Sequence, residues 1–154
     1  MAKEVTMIKA DTITAAGNAS GAVVVDLGLG IDEAAKITGI FLSAFVTGVV
    51  TPAMYQNVQG SYSFDPEDTT VSWTDDEQFV GVRVDISAGA AAVEPTKASE
   101  VIFKDFSLMN VITTRNLALI ITAVEIGGGV VGKVYYEKYK PAVNELVQLI
   151  AQRR

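Results

Sequence analysis

The sequence contains no cysteine and no histidine. Without cysteine it can form no disulfide, no thiolate nucleophile and no cysteine-based metal site. Without histidine it lacks the commonest general base, the usual zinc or iron ligand and every catalytic triad built on an imidazole. Catalysis would have to depend on carboxylates, lysine, tyrosine or an oxygen-bound metal, and no such constellation stands out. We therefore expect a protein that is not an enzyme and that has no catalytic cofactor.

Charge is also scarce, and basic charge in particular. Charged residues make up 19% of the 154 residues and hydrophobic residues 49%, the net charge is −6, and the longest basic run is Arg153-Arg154. Proteins that bind nucleic acids carry a basic stripe or arm, so we expect no direct nucleic-acid contact. The apolar excess is high for a soluble monomer and indicates large buried interfaces or strands covered on both faces.

No hydrophobic run is long enough to cross a membrane as a helix. The longest candidate, residues 37–50, has fourteen uncharged residues, whereas a span needs about 20. It is rich in β-branched and aromatic residues and contains threonine and glycine, which favours a buried strand. The first residues lack the apolar segment of a signal peptide, so we expect neither a signal peptide nor a transmembrane segment.

Alternation of apolar and polar residues predicts eight to nine strands. The least ambiguous covers residues 79–87, where Val80, Val82, Val84 and Ile86 share one face. The other predicted strands cover residues 4–10, 21–29, 36–46, 58–64, 69–73, 100–106, 116–126 and 130–139. A helix that starts at Asp32 and runs through residue 46 is the alternative for the third strand. Short, evenly spaced strands without long helices predict an all-β sandwich or barrel, formed as one domain by residues 1–154, with residues 1–20 as an N-terminal arm or strand.

Three consecutive glycines separate the last two predicted strands. Gly127, Gly128 and Gly129 are not followed by the Gly-Lys-Ser/Thr of a phosphate loop, and both flanks have strand patterns. A hairpin turn that needs positive φ explains them directly.

Residues 141–154 predict a short amphipathic helix after these strands. Val143, Leu146, Val147 and Ile150 recur at i, i+3, i+4 and i+7 and form one apolar stripe. Pro141 stands where a first helical turn tolerates it. Because so short a helix is marginal alone, it must dock either on its own sheet or on a neighbouring subunit. In the second case these four residues form a subunit interface.

Two acidic clusters are the candidate metal ligands. They consist of Asp65, Glu67 and Asp68 and of Asp75, Asp76 and Glu77. Oxygen ligands suit Ca²⁺, but neither cluster has the spacing of an EF-hand loop, and solvated polar turns are the alternative. If residues 58–64, 69–73 and 79–87 formed a meander, the two clusters would lie at its opposite ends and could not share one ion.

The C-terminal part of the chain resembles the single jelly-roll capsid proteins of icosahedral viruses, especially archaeal and environmental ones. The resemblance covers residues 117–149, where LALIITAVEI, a glycine-rich turn, VVGKVYYEKY and VNELVQLI follow one another. It implies a single antiparallel β-sandwich of jelly-roll type, with about eight strands in two facing sheets, whose function is to assemble into a shell. The chain departs from many small capsid proteins in lacking a basic arm, so another component would contact the genome.

These observations together favour a structural subunit that binds copies of itself, and in addition other shell proteins, in a virion. A subunit of a filament, tube or surface layer is the first alternative. A carbohydrate- or calcium-binding β-sandwich module is the second, against which the small number of aromatic residues counts.

Overall fold

The computed structural model describes residues 6–47, 55–86 and 99–152. Within these ranges the chain forms strands and one helix. In chain order they are β1 (Met7–Ala15), β2 (Ser20–Val25), β3 (Ala34–Val46), β4 (Gln56–Ser63), β5 (Gln78–Ile86), β6 (Ser99–Asp105), β7 (Ile112–Thr113), β8 (Leu117–Val124), β9 (Gly128–Tyr139) and α1 (Val143–Gln152). The helix α1 is too short to span a membrane, and no other helix occurs in the described ranges.

The strands form two sheets with a nested order. Sheet A has the order β1-β9-β3-β6, with the two-residue β7 also pairing with β3, and sheet B has the order β2-β8-β4-β5. With β7 set aside, the first long strand pairs with the last, the second with the last but one, and so on to β4 with β5, always antiparallel. Such a rolled-up ribbon of eight strands is the jelly roll. The predicted all-β jelly-roll sandwich is therefore confirmed.

Apolar residues from both sheets meet in one core. In β5, Val80, Val82, Val84 and Ile86 are all buried, as the alternation predicts. β3 shows the same period of two, which excludes the alternative helix through residue 46. The first part of the predicted N-terminal arm lies outside the described residues, whereas residues 7–15 form β1 at one edge of sheet A.

One tyrosine spans the space between the sheets. Tyr62 of β4 is fully buried, and its hydroxyl occupies the position that a Cβ on Gly132 of β9 would need. Burial raises the pKa of Tyr62, and the charge of Asp11, the β1 residue paired with Gly132, raises it further. Within the described residues, neither the Tyr62 hydroxyl nor the Oδ2 atom of Asp11 has a hydrogen-bond partner. The contact therefore fixes the separation of the sheets but leaves two buried oxygens unpaired.

The hairpin predicted at the three glycines is wrong, because β8 belongs to sheet B and β9 to sheet A. The connection passes from one sheet to the other, and its positive φ is at Glu125 (61°). Gly128 and Gly129 lie inside β9, where a Cβ would overlap the carbonyl oxygen of Phe45 and its ring, respectively. The glycines are needed for close approach to β3, not for a left-handed turn.

The strand predicted over residues 69–73 is also wrong. These residues belong to an irregular loop between β4 and β5 that hydrogen-bonds to sheet B. Thr122 Oγ1 accepts the N–H of Val71 (3.0 Å), and Gln78 Oε1 accepts the N–H of Ser72 (2.9 Å). Side chains thus pair with this backbone, which has no strand partner.

Candidate functional site

The apolar stripe of α1 is exposed. The exposed fractions of Val143, Val147 and Ile150 are 79%, 61% and 41%, and no residue of the helix is buried. Leu146, the fourth residue of the predicted interface, is half-buried. In the described part of the chain the stripe therefore does not dock on its own sheet. That these four residues contact another subunit stays a prediction.

The opposite side of α1 holds the helix to its own chain. The Tyr139 hydroxyl donates to Glu145 Oε1 (3.2 Å), and burial, followed by the charge of Glu145, raises the pKa of Tyr139. At about 100° per residue, Val143, Val147 and Ile150 lie about 140–160° around the helix from Glu145. The bond of Glu145 to Tyr139 thus lies on the side of α1 opposite the exposed apolar stripe.

A second apolar surface covers the outer face of sheet A. Paired strands place directly opposed residues on the same face, and the registers align Ile8 with Tyr135 and Phe41 with Phe103. The face is completed by the side chains next to these on the same side of the sheet. We call this set the sheet A apolar face, and its residues are Ile8, Phe41, Phe45, Val101, Phe103, Val131 and Tyr135.

Ring contacts confirm that these side chains lie on one surface. Phe103 and Tyr135 meet edge to face with centroids 6.0 Å apart, and the Lys133 ammonium lies 5.6 Å from the centre of the Phe41 ring. The exposed fractions of Ile8 and Phe103 are 61% and 60%. Contiguous exposed apolar area of this kind marks contact surfaces in soluble proteins.

Sequence reasoning missed the sheet A apolar face, although a signal for it existed. Residues 100–106 were correctly predicted as a strand, which is β6 in the structure. Val101 and Phe103 fall on one side of it and Ile102 and Phe106 on the other. An edge strand that is apolar on both sides indicates cover on both sides, but only the register shows which neighbouring residues share the outer face.

The predicted calcium ligands are engaged in their own turns. Asp65 Oδ1 accepts the N–H of Glu67 (3.0 Å), Asp75 Oδ1 accepts that of Glu77 (2.9 Å), and Asp68 contacts the Ser63 hydroxyl. No group of three or more acidic residues within the described ranges is arranged to hold a metal ion.

The expected placement of the two acidic clusters was wrong. Without a strand over residues 69–73 there is no meander, and both turns belong to one loop whose two ends meet where Phe64 N–H donates to the Glu77 carbonyl (2.9 Å). Calcium sites and solvated polar turns both stay open as interpretations of the two clusters, and thermal unfolding with and without Ca²⁺ separates them.

Sheet B carries a polar surface with an aromatic side chain at each end. Trp73 Nε1 donates to Gln59 Oε1 (2.7 Å), and Gln59 in turn donates to Asn57 (2.8 Å). At the other end Arg83 bonds Asp85 (2.8 Å) and lies over the ring of Tyr55, 5.4 Å from its centre. Both Trp73 and Tyr55 are more than half exposed. We call these six residues the sheet B polar patch.

No protein-family model and no curated protein matches the chain. Among solved structures, one of desmodium yellow mottle tymovirus matches with 13% identity and a TM-score of 0.42, covering 93% of each chain. The VP2 subviral particle of infectious bursal disease virus matches with 11% identity and a TM-score of 0.34, over 92% of this chain and 43% of the other. The Gx strain of the same virus matches with 10% identity and a TM-score of 0.30, over 88% and 37%. All three are virus structures, and the jelly-roll assignment of this chain follows from its strand pairing and not from these matches.

Proposed function

We propose that this chain is a structural subunit, not an enzyme, that assembles with copies of itself into the shell of a virion. The observation that carries the proposal is the exposed apolar stripe of α1, whose centre is formed by Val143, Val147 and Ile150. A ten-residue helix is marginal in isolation. Full burial of an aliphatic side chain is worth about 1.5–3 kcal/mol, and most of this is lost for Val143 and Val147 and a smaller part for Ile150. A neighbouring copy that covers the stripe recovers this free energy.

The jelly-roll topology is consistent with the proposal, because viral capsid domains are one of the main uses of this fold. The net charge of −6 fits a subunit that does not itself bind the genome. Repeating the rotation between adjacent subunits gives a closed shell in one case and an open filament in the other. A filament or surface layer would therefore use the same contact surfaces with a different rotation between subunits.

Assembly is tested by light scattering and electron microscopy of the purified chain over a range of salt and protein concentrations. We expect closed particles, and filaments or sheets would assign the same surfaces to the alternative assembly. A species that stays a monomer under all these conditions would show that the chain is not a shell subunit.

Two variants on neighbouring helix positions test the role of the stripe. Val147→Asp places a charge in the centre of the stripe and should abolish assembly. Gln148→Asp introduces the same side chain on the polar side of α1 and should leave assembly intact. Circular dichroism of both variants checks that the sandwich is still folded. Equal loss of assembly in the two variants would mean that α1 does not act through its apolar stripe.

A second candidate function, carbohydrate binding, is favoured by the sheet B polar patch. Sugars are bound by aromatic rings that stack on them and by planar polar groups that hydrogen-bond their hydroxyls. Trp73 and Tyr55 flank three such groups that reach solvent, those of Gln59, Arg83 and Asp85, whereas Asn57 is buried beneath them. A glycan array followed by calorimetry tests this reading. Binding that Trp73→Ala removes would support it, and the absence of any binding glycan would refute it.

A further inference from the structure

The chain exposes two apolar surfaces that differ in shape. One is the narrow, convex stripe of α1, and the other is the broad sheet A apolar face. Helices and sheets bury their apolar sides against one another in most layered folds. In one copy of this chain both sides of such a helix-on-sheet layer are present, but they do not meet.

The helix is oriented with its apolar stripe away from its own chain. Only residues 140–142 separate the end of β9 from the start of α1, and the hydrogen bond between Tyr139 and Glu145 fixes the side opposite the stripe. Covering its own sheet would require α1 to break this bond and rotate by nearly half a turn. A second copy meets the stripe where it already points.

We propose that the α1 stripe of one copy packs on the sheet A apolar face of a second copy. This inference rests on the proposed function and identifies the surface that receives α1. Because the donating and receiving surfaces are different, the contact is head to tail, and successive copies close into a ring or shell or continue as a fibre.

The dimensions of the two surfaces agree. The ten residues of α1 extend about 15 Å at 1.5 Å per residue. The four strands of sheet A, spaced by about 4.8 Å, place β1 and β6 about 14 Å apart. Because the register runs straight across from Ile8 to Asp105, a helix that reaches from Ile8 to Phe103 lies diagonally to the strands.

The charges also permit the contact. The four stripe residues are uncharged, and Glu145 lies on the far side of the helix. Among the described residues, Lys133 is the charged residue within the sheet A apolar face, and Asp105 lies at its edge, next to Phe103 on β6 and in line with Ile8, Tyr135 and Gly39. The Lys133 ammonium lies above the Phe41 ring, and its flexible stem lets that charge stay in water at the margin of a docked helix. The Asp105 carboxylate accepts the N–H of Ser107 (2.8 Å), so it keeps a hydrogen bond if the helix docks beside it.

Disulfide trapping tests the pairing cleanly because the sequence has no cysteine of its own. A Val147→Cys chain is mixed with a Val101→Cys chain that carries a mass tag, and the mixture is oxidised under assembly conditions. The matched control replaces Val101→Cys by Val24→Cys on β2 of sheet B. The two valines have nearly equal exposed fractions, 53% and 51%.

We expect at least tenfold more cross-linked pair with Val101→Cys than with Val24→Cys, because a disulfide requires Cβ atoms within about 4.5 Å. Assembly without this preference would overturn the inference and leave the proposed function standing. A chain that never assembles would overturn the proposed function as well. Light scattering of the same samples separates the two outcomes.

A lipid surface is the other occupant that an apolar sheet face could have. A flotation experiment with a variant of this face distinguishes it from the helix contact. Vesicles of phosphatidylcholine and phosphatidylglycerol are floated with the wild-type chain and with Phe103→Asp. We expect no flotation of either. Wild-type flotation that Phe103→Asp abolishes, combined with no preferred cross-link, would assign the face to a membrane and refute the helix contact.

Discussion

Replacing Tyr62 by phenylalanine should stabilise the folded chain. The Tyr62 hydroxyl is buried between the two sheets and has no hydrogen-bond partner within the described residues. An unpaired buried polar group costs about 1–3 kcal/mol of desolvation. Phenylalanine removes the hydroxyl and keeps the ring that fills the core, so the small void that remains offsets part of the gain.

We expect a net gain of about 1 kcal/mol in the free energy of unfolding, which raises Tm by about 2–4 °C for a chain of this length. Urea unfolding followed by far-UV circular dichroism measures it, at a protein concentration where sedimentation shows no assembly. Tyr135→Phe, which removes a hydroxyl from a half-buried tyrosine on the outer face of sheet A, serves as the matched control outside the core.

The pH dependence provides a second measurement of the same hydroxyl. The pKa of Tyr62 is raised above its ordinary value of 10.0 in the folded chain. Above about pH 10 the unfolded chain loses this proton while the folded chain keeps it, so the contribution of Tyr62 to stability falls as the pH rises. Tyr136 and Tyr139, whose pKa values are also raised, act in the same direction in both proteins. The advantage of Tyr62→Phe should therefore grow above pH 10.

Destabilisation by Tyr62→Phe of about 1 kcal/mol or more, or an advantage that does not change above pH 10, would refute this reasoning. Either result would mean that the hydroxyl is hydrogen-bonded in the folded chain, with a bound water that bridges it to Asp11 as the simplest arrangement.

Three further predictions concern other positions. Gly132→Ala should destabilise the folded chain by about 1–3 kcal/mol through overpacking. Tyr62→Phe should restore only part of this stability, because the ring atom Cζ of Tyr62 lies 2.6 Å from the added Cβ. A double-mutant cycle measures the coupling, and complete restoration would contradict this prediction. Glu125→Gly should stabilise the folded chain by up to about 1 kcal/mol, because Glu125 has a φ of 61°. The control Val124→Gly in β8 should destabilise it. Equal effects of the two variants in thermal unfolding would argue against strain at Glu125. Millimolar Ca²⁺ should leave Tm unchanged, because Asp65 and Asp75 hold their own turns; a saturable rise would establish a binding site.

The sequence predicts the strands well where alternation reflects two unlike environments. β5 is such a strand, with the core on one side and solvent or polar neighbours on the other. Alternation over residues 69–73 predicts a strand that the structure lacks. The pattern indicates the direction of the side chains, but it does not show whether a neighbouring strand is there to hydrogen-bond the backbone. The N–H groups of Val71 and Ser72 find theirs in the side chains of Thr122 and Gln78.

The structural role of a glycine is also difficult to predict from the sequence. Close approach and positive φ both select glycine, and the two cannot be separated before the neighbours are known. Gly128 and Gly129 are required by Phe45 on β3, which is more than eighty positions away in the chain. The apolar stripe of α1 was predictable from its spacing, but its direction depends on the contact of Glu145 with Tyr139.

The strand order also determines when this chain can fold. β9 lies in the middle of sheet A and β8 in the middle of sheet B, yet both come after every other strand in the chain. During synthesis β1 and β2 therefore cannot pair until β9 and β8, more than ninety residues downstream, have been made. Such long-range pairing makes folding slow. Because α1 leaves the ribosome after β9, the helix that we propose to join neighbouring copies emerges only once both sheets can close. Chains interrupted earlier in synthesis would lack α1, so under the proposed contact an incomplete subunit could not donate its helix to a neighbour.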